Sequence, residues 1–154
     1  MIRAATPKNA QKVCEMTAEV STHEGAPPPR FNADTFLKFG FGPDRAFECY
    51  VAEVANNVVG HVSITWGFDV QGGCRVIWLA DLFVVAEHRR NGIGYALIAH
   101  VCERALSDGV GYIQFMVAPK NVEAIAFYEA IGSKRDRGIP MFVSPETIAE
   151  QSNP

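Results

Sequence analysis

Arg89, Gly92 and Gly94 stand at a spacing that suits the binding of a phosphate-bearing ligand. The segment Leu82–Ala96 reads LFVVAEHRRNGIGYA: an apolar run, a short basic turn and then an amphipathic pattern. Glycines at 92 and 94 let the backbone come close to a ligand without interference from Cβ. The first N–H groups of a helix have no partner inside it, and with the helix dipole they favour an anion. Arg89 and Arg90 add charge-assisted donors suited to phosphate. A pyrophosphate is the natural guest. A dinucleotide fingerprint would need Gly or Ala three residues after Gly94, where Leu97 stands, and would open a first βαβ unit rather than sit mid-chain. A Walker loop would end in Gly-Lys-Ser/Thr, which Ile93-Gly94-Tyr95 does not resemble. The remaining alternative is a plain glycine-rich turn with solvated arginines. The apolar strand before the turn and the helix after it weigh against that.

The elements that must position this loop follow from periodicity. Met1–Ala5 reads as an edge strand. Thr6-Pro7 opens a first helix that runs to about residue 20, with Val13, Met16, Thr17 and Val20 at helical spacing. Pro27, Pro28 and Pro29 make His23–Asn32 an extended loop. Asn32 or Asp34 caps a short second helix, ended by the Gly40–Pro43 turn. Strands at Phe47–Val54 and Val58–Trp66 flank a hairpin turn at Asn56-Asn57. Arg75–Val85, apolar in nearly all but Asp81, reads as a central strand buried on both faces. Gly92–Leu106 is helical, with Ile93, Leu97, Val101 and Ala105 on one side and Ile98 and Cys102 beside them. Gly111–Ala118 is another strand. Asn121 caps a helix bearing Ala124, Phe127, Tyr128 and Ile131, stopped by Gly132. Phe142-Val143 reads as a last short strand, followed by a loosely ordered tail from Ser144.

Composition narrows the function classes. The 154 residues suit one domain, and 48% hydrophobic with 20% charged residues is ordinary for a globular protein. A formal net charge of -3 implies no broad basic surface for nucleic acid or an anionic membrane. Cys14, Cys49, Cys74 and Cys102 lie far apart and show no zinc spacing, so no metal is expected. No apolar run is long enough to span a bilayer and none resembles a signal peptide, so the expected setting is the cytoplasm.

Arg89-x-x-Gly92-x-Gly94, after a strand reading Asp81-Leu82-Phe83-Val84, resembles the acetyl-coenzyme A motif of the GNAT superfamily of N-acetyltransferases. Asn121-x-x-Ala124-x-x-Phe127-Tyr128-x-x-x-Gly132 is similar to that family's other common motif, at the expected distance. A looser likeness is to the spermidine/spermine (diamine) acetyltransferase subgroup, carried by His23-Glu24, by Phe39–Pro43 and by Cys49–Val54. The resemblance implies an α/β fold with a mixed, mostly antiparallel central sheet that splays at the strand ending near Val84, flanked by about four helices. Acetyl-coenzyme A is the implied cosubstrate. Backbone groups of Leu82, Phe83 and Val84 would pair with its pantetheine arm, and a main-chain N–H near Val84 would polarise the thioester carbonyl. Arg90, Asn91, Gly92, Ile93, Gly94 and Tyr95 would wrap the pyrophosphate, Arg89 would hold the turn, and Asn121 would position the cofactor arm or the helix of Tyr128. Tyr128 matches the general acid. A homodimer is implied as well.

The implied reaction moves an acetyl group to the primary amine of a small molecule: a diamine, a polyamine or an amino acid. Tyrosine keeps its proton to pH ~10 while a thiol titrates near ~8.5, so full transfer to the leaving thiolate is uphill by ~2 kcal/mol. A hydrogen bond that tightens as thiolate forms serves as well. The attacking amine has a pKa of ~10.4 and must lose a proton first. Asp81, Glu24 or an ordered water is the expected acceptor. Where diamine acetyltransferases carry a glutamate before the strand's aspartate, this chain has Ala80, and its proline loop carries Arg30 rather than acidic residues. Those departures make a shorter amine or an amino acid at least as fitting an acceptor as a long polyamine. The alternatives are a coenzyme A-binding sensor without catalysis, which Ala80 favours, and a protein N-acetyltransferase.

Overall fold

The structure, a computed structural model, describes residues 1–136, 138, 141 and 144–146, except for the side chain of Glu24. The chain divides into two compact units, Met1–Val122 and Glu123–Pro154. In the first unit the strands β1 (Ile2–Ala4), β2 (Glu48–Val54), β3 (Asn57–Asp69), β4 (Cys74–Val84) and β5 (Val110–Gln114) lie in that order in one sheet. All neighbours run antiparallel except β4 and β5, which are parallel. The helices are α1 (Ala10–Glu24), α2 (Ala33–Phe41) and α3 (Ile93–Ser107). Their order and the mixed, mostly antiparallel sheet are those expected from the sequence.

Strand alternation sends side chains to two cores. Cys49 and Val51 of β2 join Val13 and Met16 of α1 and Phe36 of α2 on one face. Tyr50 and Ala52 join Leu97, Val101 and Ala105 of α3 on the other. The α3 stripe read from periodicity is therefore the buried one. Asn32 caps α2 as expected: its Oδ1 accepts from Thr35 N–H at 3.0 Å, and Thr35 Oγ1 accepts from Asn32 N–H at 2.8 Å. Thr6 and Pro7 open a short 3₁₀ turn, Pro7–Asn9, that leads into α1.

Of the boundaries that differ from the sequence reading, three have a plain physical reason. Helix α1 continues past residue 20 to Glu24 and stops at Gly25, which takes the left-handed φ of 68°. Prolines restrict only the residue before them, so His23 and Glu24 stay helical and the extended stretch is shorter. The hairpin turn falls on Ala55 and Asn56, both at positive φ (48° and 64°), while Asn57 already pairs with Val54. That two-residue turn matches the strand twist, and it overrides alanine's dislike of positive φ. Strand β5 ends at Gln114 rather than Ala118, because its partner leaves: pairing with β4 stops at Trp78–Gln114.

Strand β4 is also less buried than its composition suggests. Ile77, Leu79 and Phe83 are buried, but Ala80 is exposed. Leu79 faces Ile64 and Asp81 faces Ser63, which leaves Ala80 as an extra residue, a β-bulge. The bulge swaps the faces of the strand. Before it, Ile77 and Leu79 point to the α3 core; after it, Leu82 and Val84 do, while Phe83 turns to the α1–α2 core.

The second unit holds most of α4 (Val122–Ala130). Gly132, at φ 95°, ends it: Gly132 N–H donates to Glu129 O and Ser133 N–H to Tyr128 O, both at 3.0 Å. This is the Schellman arrangement expected of a glycine at that position. Arg135 pairs with Glu129 at 2.8 Å. The strand expected at Phe142-Val143 lies outside the described residues.

Candidate active site

Beyond Trp78, the edge of β4 that faced β5 has no strand partner among the described residues. Val85 N–H donates to Val59 O at 2.9 Å, on the β3 side. Backbone groups alternate in direction along a strand, so those of Leu82 and Val84 face the open edge and those of Phe83 face β3. The Val84 carbonyl is already taken: Arg89 Nε donates to it at 2.9 Å. The Arg89 guanidinium also sits over the Phe83 ring, 5.5 Å from its centroid. Arg89 thus ties the turn back onto the strand, while the Val84 N–H stays on the open edge. A Cβ at Gly60, opposite Val84, would come within 2.8 Å of the Phe83 carbonyl oxygen, so glycine is what lets β3 and β4 stay in register there.

The turn itself is built around two left-handed residues. A 3₁₀ turn at Ala86–His88 leads to extended Arg89, then Arg90 at φ 62° and Gly92 at φ 77°. Left-handed residues between extended or helical ones turn successive N–H groups inward, which makes an anion-binding concavity. The first internal bond of α3 runs from Ala96 N–H to Gly92 O at 2.9 Å. The N–H groups of Ile93, Gly94 and Tyr95 precede it and point out of the helix end. Arg90, Asn91, Gly92 and Tyr95 are exposed around that end, and Arg90 makes no ion pair among the described residues. Arg90 stands exposed at the helix end, while Arg89 is bonded back to the Val84 carbonyl.

Asp81 lies one residue past the bulge and turns under α1. Its Oδ2 accepts from Thr17 Oγ1 at 2.9 Å and lies 3.0 Å from His61 Nε2. His61 is wholly buried, and 18% of the Asp81 side-chain surface stays accessible. Burial pushes the Asp81 carboxyl up, but the hydrogen bond and charge of His61, then the bond from Thr17, outweigh it and hold the group below its usual range. A carboxyl depressed in the folded state stabilises the fold above its unfolded pKa of ~3.9, and that contribution is lost as pH falls through the folded value. Asp81→Asn is therefore expected to lower Tm at pH 7, with the gap to wild type closing in acid. Thermal melts from pH 7 to pH 2 check this, and a gap that stays constant would contradict it.

The remaining sequence-expected residues are spread more widely. Glu24 is the last residue of α1, and its side chain lies outside the described residues. Asn121 N–H donates to Ala118 O at 2.8 Å just before α4 begins. Tyr128 is buried on α4, its ring 5.2 Å from that of Phe127. The link of Thr17 and His61 to Asp81 was missed by the sequence reading. A signal existed: Asp81 and His61 each stand in an otherwise apolar strand, and buried polar groups must find partners. Among the described residues no group of three or more His, Cys, Asp or Glu could hold a metal ion. No helix there is long and apolar enough to cross a membrane.

A mixed α/β sheet, with one edge of β4 unpaired beyond Trp78 among the described residues, leads through a tight turn into α3. The chain belongs to the acetyltransferase (GNAT) family, whose model matches residues 12–132. It is 27% identical over 143 residues to a thialysine N-epsilon-acetyltransferase of Bos taurus, covering 87% of this chain and 84% of that protein. Over 57 residues it is 37% identical to an L-ornithine N5-acetyltransferase of Arabidopsis thaliana, covering 37% of this chain and 25% of that protein. In fold it matches the crystal structure of a ribosomal-protein-alanine N-acetyltransferase from Brucella melitensis, with TM-score 0.77, 22% identity, and 94% and 98% of the two chains covered.

Proposed function

We propose that this protein transfers acetyl from acetyl-coenzyme A to the primary amine of a small molecule, by direct attack in a ternary complex. The observation that carries the reading is the open β4 edge running into the Arg90–Gly92 cradle. Leu82 and Val84 offer backbone groups to the pantetheine arm, and Arg90 with Asn91, Gly92, Ile93, Gly94 and Tyr95 receives the pyrophosphate. Arg89 holds the turn. The Val84 N–H is the donor for the thioester oxygen, where negative charge develops during attack. Tyr128 donates its hydroxyl proton or a tightening hydrogen bond to the departing thiolate, and Asn121 positions the cofactor arm or the helix bearing Tyr128. No metal takes part.

Asp81 orients the amine. A carboxyl held below its usual range is a poor proton acceptor and a good partner for a cation. The amine proton therefore leaves through ordered water, with Asp81 and Glu24 as the acidic groups that attract the cation. Ala80 and the loop through Arg30 lack the acidic ladder a long polyamine would need. Two relatives bear the names of acetyltransferases for thialysine and ornithine, amino acids that end in an amine. We read the acceptor as such a short amine. A cytoplasmic homodimer formed from a single-domain chain, acting on neither nucleic acid nor membrane, goes with this reading.

An acceptor panel tests it. Release of free thiol from acetyl-coenzyme A should be fastest with amino acids carrying a terminal side-chain amine and slower with spermidine or spermine. Preference for a lysine-containing peptide over every free amine would favour protein acetylation instead.

A further inference from the structure

Asp81 is held from inside the protein by a residue that nothing in the family motifs assigns. His61 sits on β3 between Val51 of β2 and Phe83 of β4, fully buried in the layer that faces α1. Its Nε2 lies 3.0 Å from Asp81 Oδ2, and its Nδ1 is buried without a hydrogen-bond partner among the described residues. A carboxylate only accepts, so Nε2 carries the hydrogen of this bond. An aliphatic side chain would fill this space without leaving a polar atom unpaired.

Thr17 Oγ1 meets the same oxygen at 2.9 Å, from α1. Two side-chain donors, from a strand and from a helix, converge on Oδ2, and the Leu82 backbone N–H adds a further bond to the carboxylate. The carboxylate is thereby fixed in rotation at the residue that follows the bulge, with part of its surface still accessible. We infer that His61, together with Thr17, is the positioning residue of the amine site: it fixes Asp81 so that Oδ1 orients the acceptor amine in the place where Ala80 supplies no carboxylate. This rests on the acetyl-transfer reading above and on Asp81 facing the amine. His61 itself touches no substrate.

The experiment compares His61→Leu, which keeps bulk and removes the donor, with His61→Gln, whose amide nitrogen can reach the position of Nε2. Steady-state kinetics are measured with the best amine of the panel, after circular dichroism shows each variant folded. For His61→Leu the expected result is a ten- to hundredfold lower kcat/KM for the amine, roughly the effect of a small misplacement, with KM for acetyl-coenzyme A unchanged. His61→Gln should recover most of the loss. A folded His61→Leu with wild-type kcat/KM, or an equal loss in both variants, overturns the inference. If His61→Leu fails to fold, Thr17→Val carries the test: a several-fold lower kcat/KM for the amine supports the inference, and an unchanged value overturns it. In the wild-type protein, long-range nitrogen–proton correlation spectra should show His61 with its hydrogen on Nε2; a hydrogen on Nδ1 alone also overturns it. Asp81→Asn separates the layers of the reading. Undiminished turnover there removes Asp81 and this inference while acetyl transfer stands. A wild-type protein that acetylates no amine removes the transfer reading, and the inference with it.

Discussion

Replacing Tyr128 with phenylalanine is expected to lower kcat by about a hundredfold, with KM for acetyl-coenzyme A changed by less than about twofold. The substitution removes one hydroxyl and keeps the ring beside Phe127, so the packing of α4 is retained. What is lost is the proton, or the tightening hydrogen bond, offered to a thiolate that exists only as the bond to the acetyl group breaks. An interaction made only in the transition state shows in kcat rather than in cofactor binding. Steady-state kinetics with saturating amine read the two constants separately. Unchanged kcat would remove Tyr128 from the mechanism, and a large rise in KM alone would recast it as a binding residue.

Placing a carboxylate in the first turn of α3 is expected to have the other large effect. Gly94 follows Ile93 at the start of that helix, in the cradle proposed for the pyrophosphate. Aspartate in a first helical turn is favourable to the helix, by ~0.3–1 kcal/mol, so Gly94→Asp should fold with an undiminished Tm. The same carboxylate repels the pyrophosphate and blocks its approach to the backbone. Calorimetric titration should show the Kd for acetyl-coenzyme A raised at least about tenfold, or about 1.4 kcal/mol. Wild-type affinity in this variant would place the phosphates elsewhere.

How far the sequence carried these conclusions depends on the kind of signal each feature leaves. The turn before α3 was legible because glycine announces it directly, and left-handed Gly92 occurs where a glycine was expected. The buried stripe of α3 was legible from its period, and Gly132 from its place after α4. The position of the bulge, at Ala80, was not. An apolar strand shows no alternation to interrupt, so an inserted residue leaves no trace in the pattern, although it decides which way Asp81 and Phe83 point. The link from His61 to Asp81 depends on that change of face and stayed hidden with it. The end of α1 was misplaced for a simpler reason: three prolines were given more reach than their geometry has. The identity of the acceptor is hardest to read, since the departures at Ala80 and Arg30 say what is missing rather than what replaces it.

The most direct measurement follows the acetyl group itself. The protein is incubated with isotopically labelled acetyl-coenzyme A and an amino acid bearing a side-chain amine, and both acceptor and protein are weighed by mass spectrometry. The expected result is labelled acetyl on the amine nitrogen, free coenzyme A in equal amount, and no acetyl group on the protein. Tight binding of coenzyme A with every acceptor in the panel left unlabelled would contradict acetyl transfer and leave a coenzyme A sensor in its place.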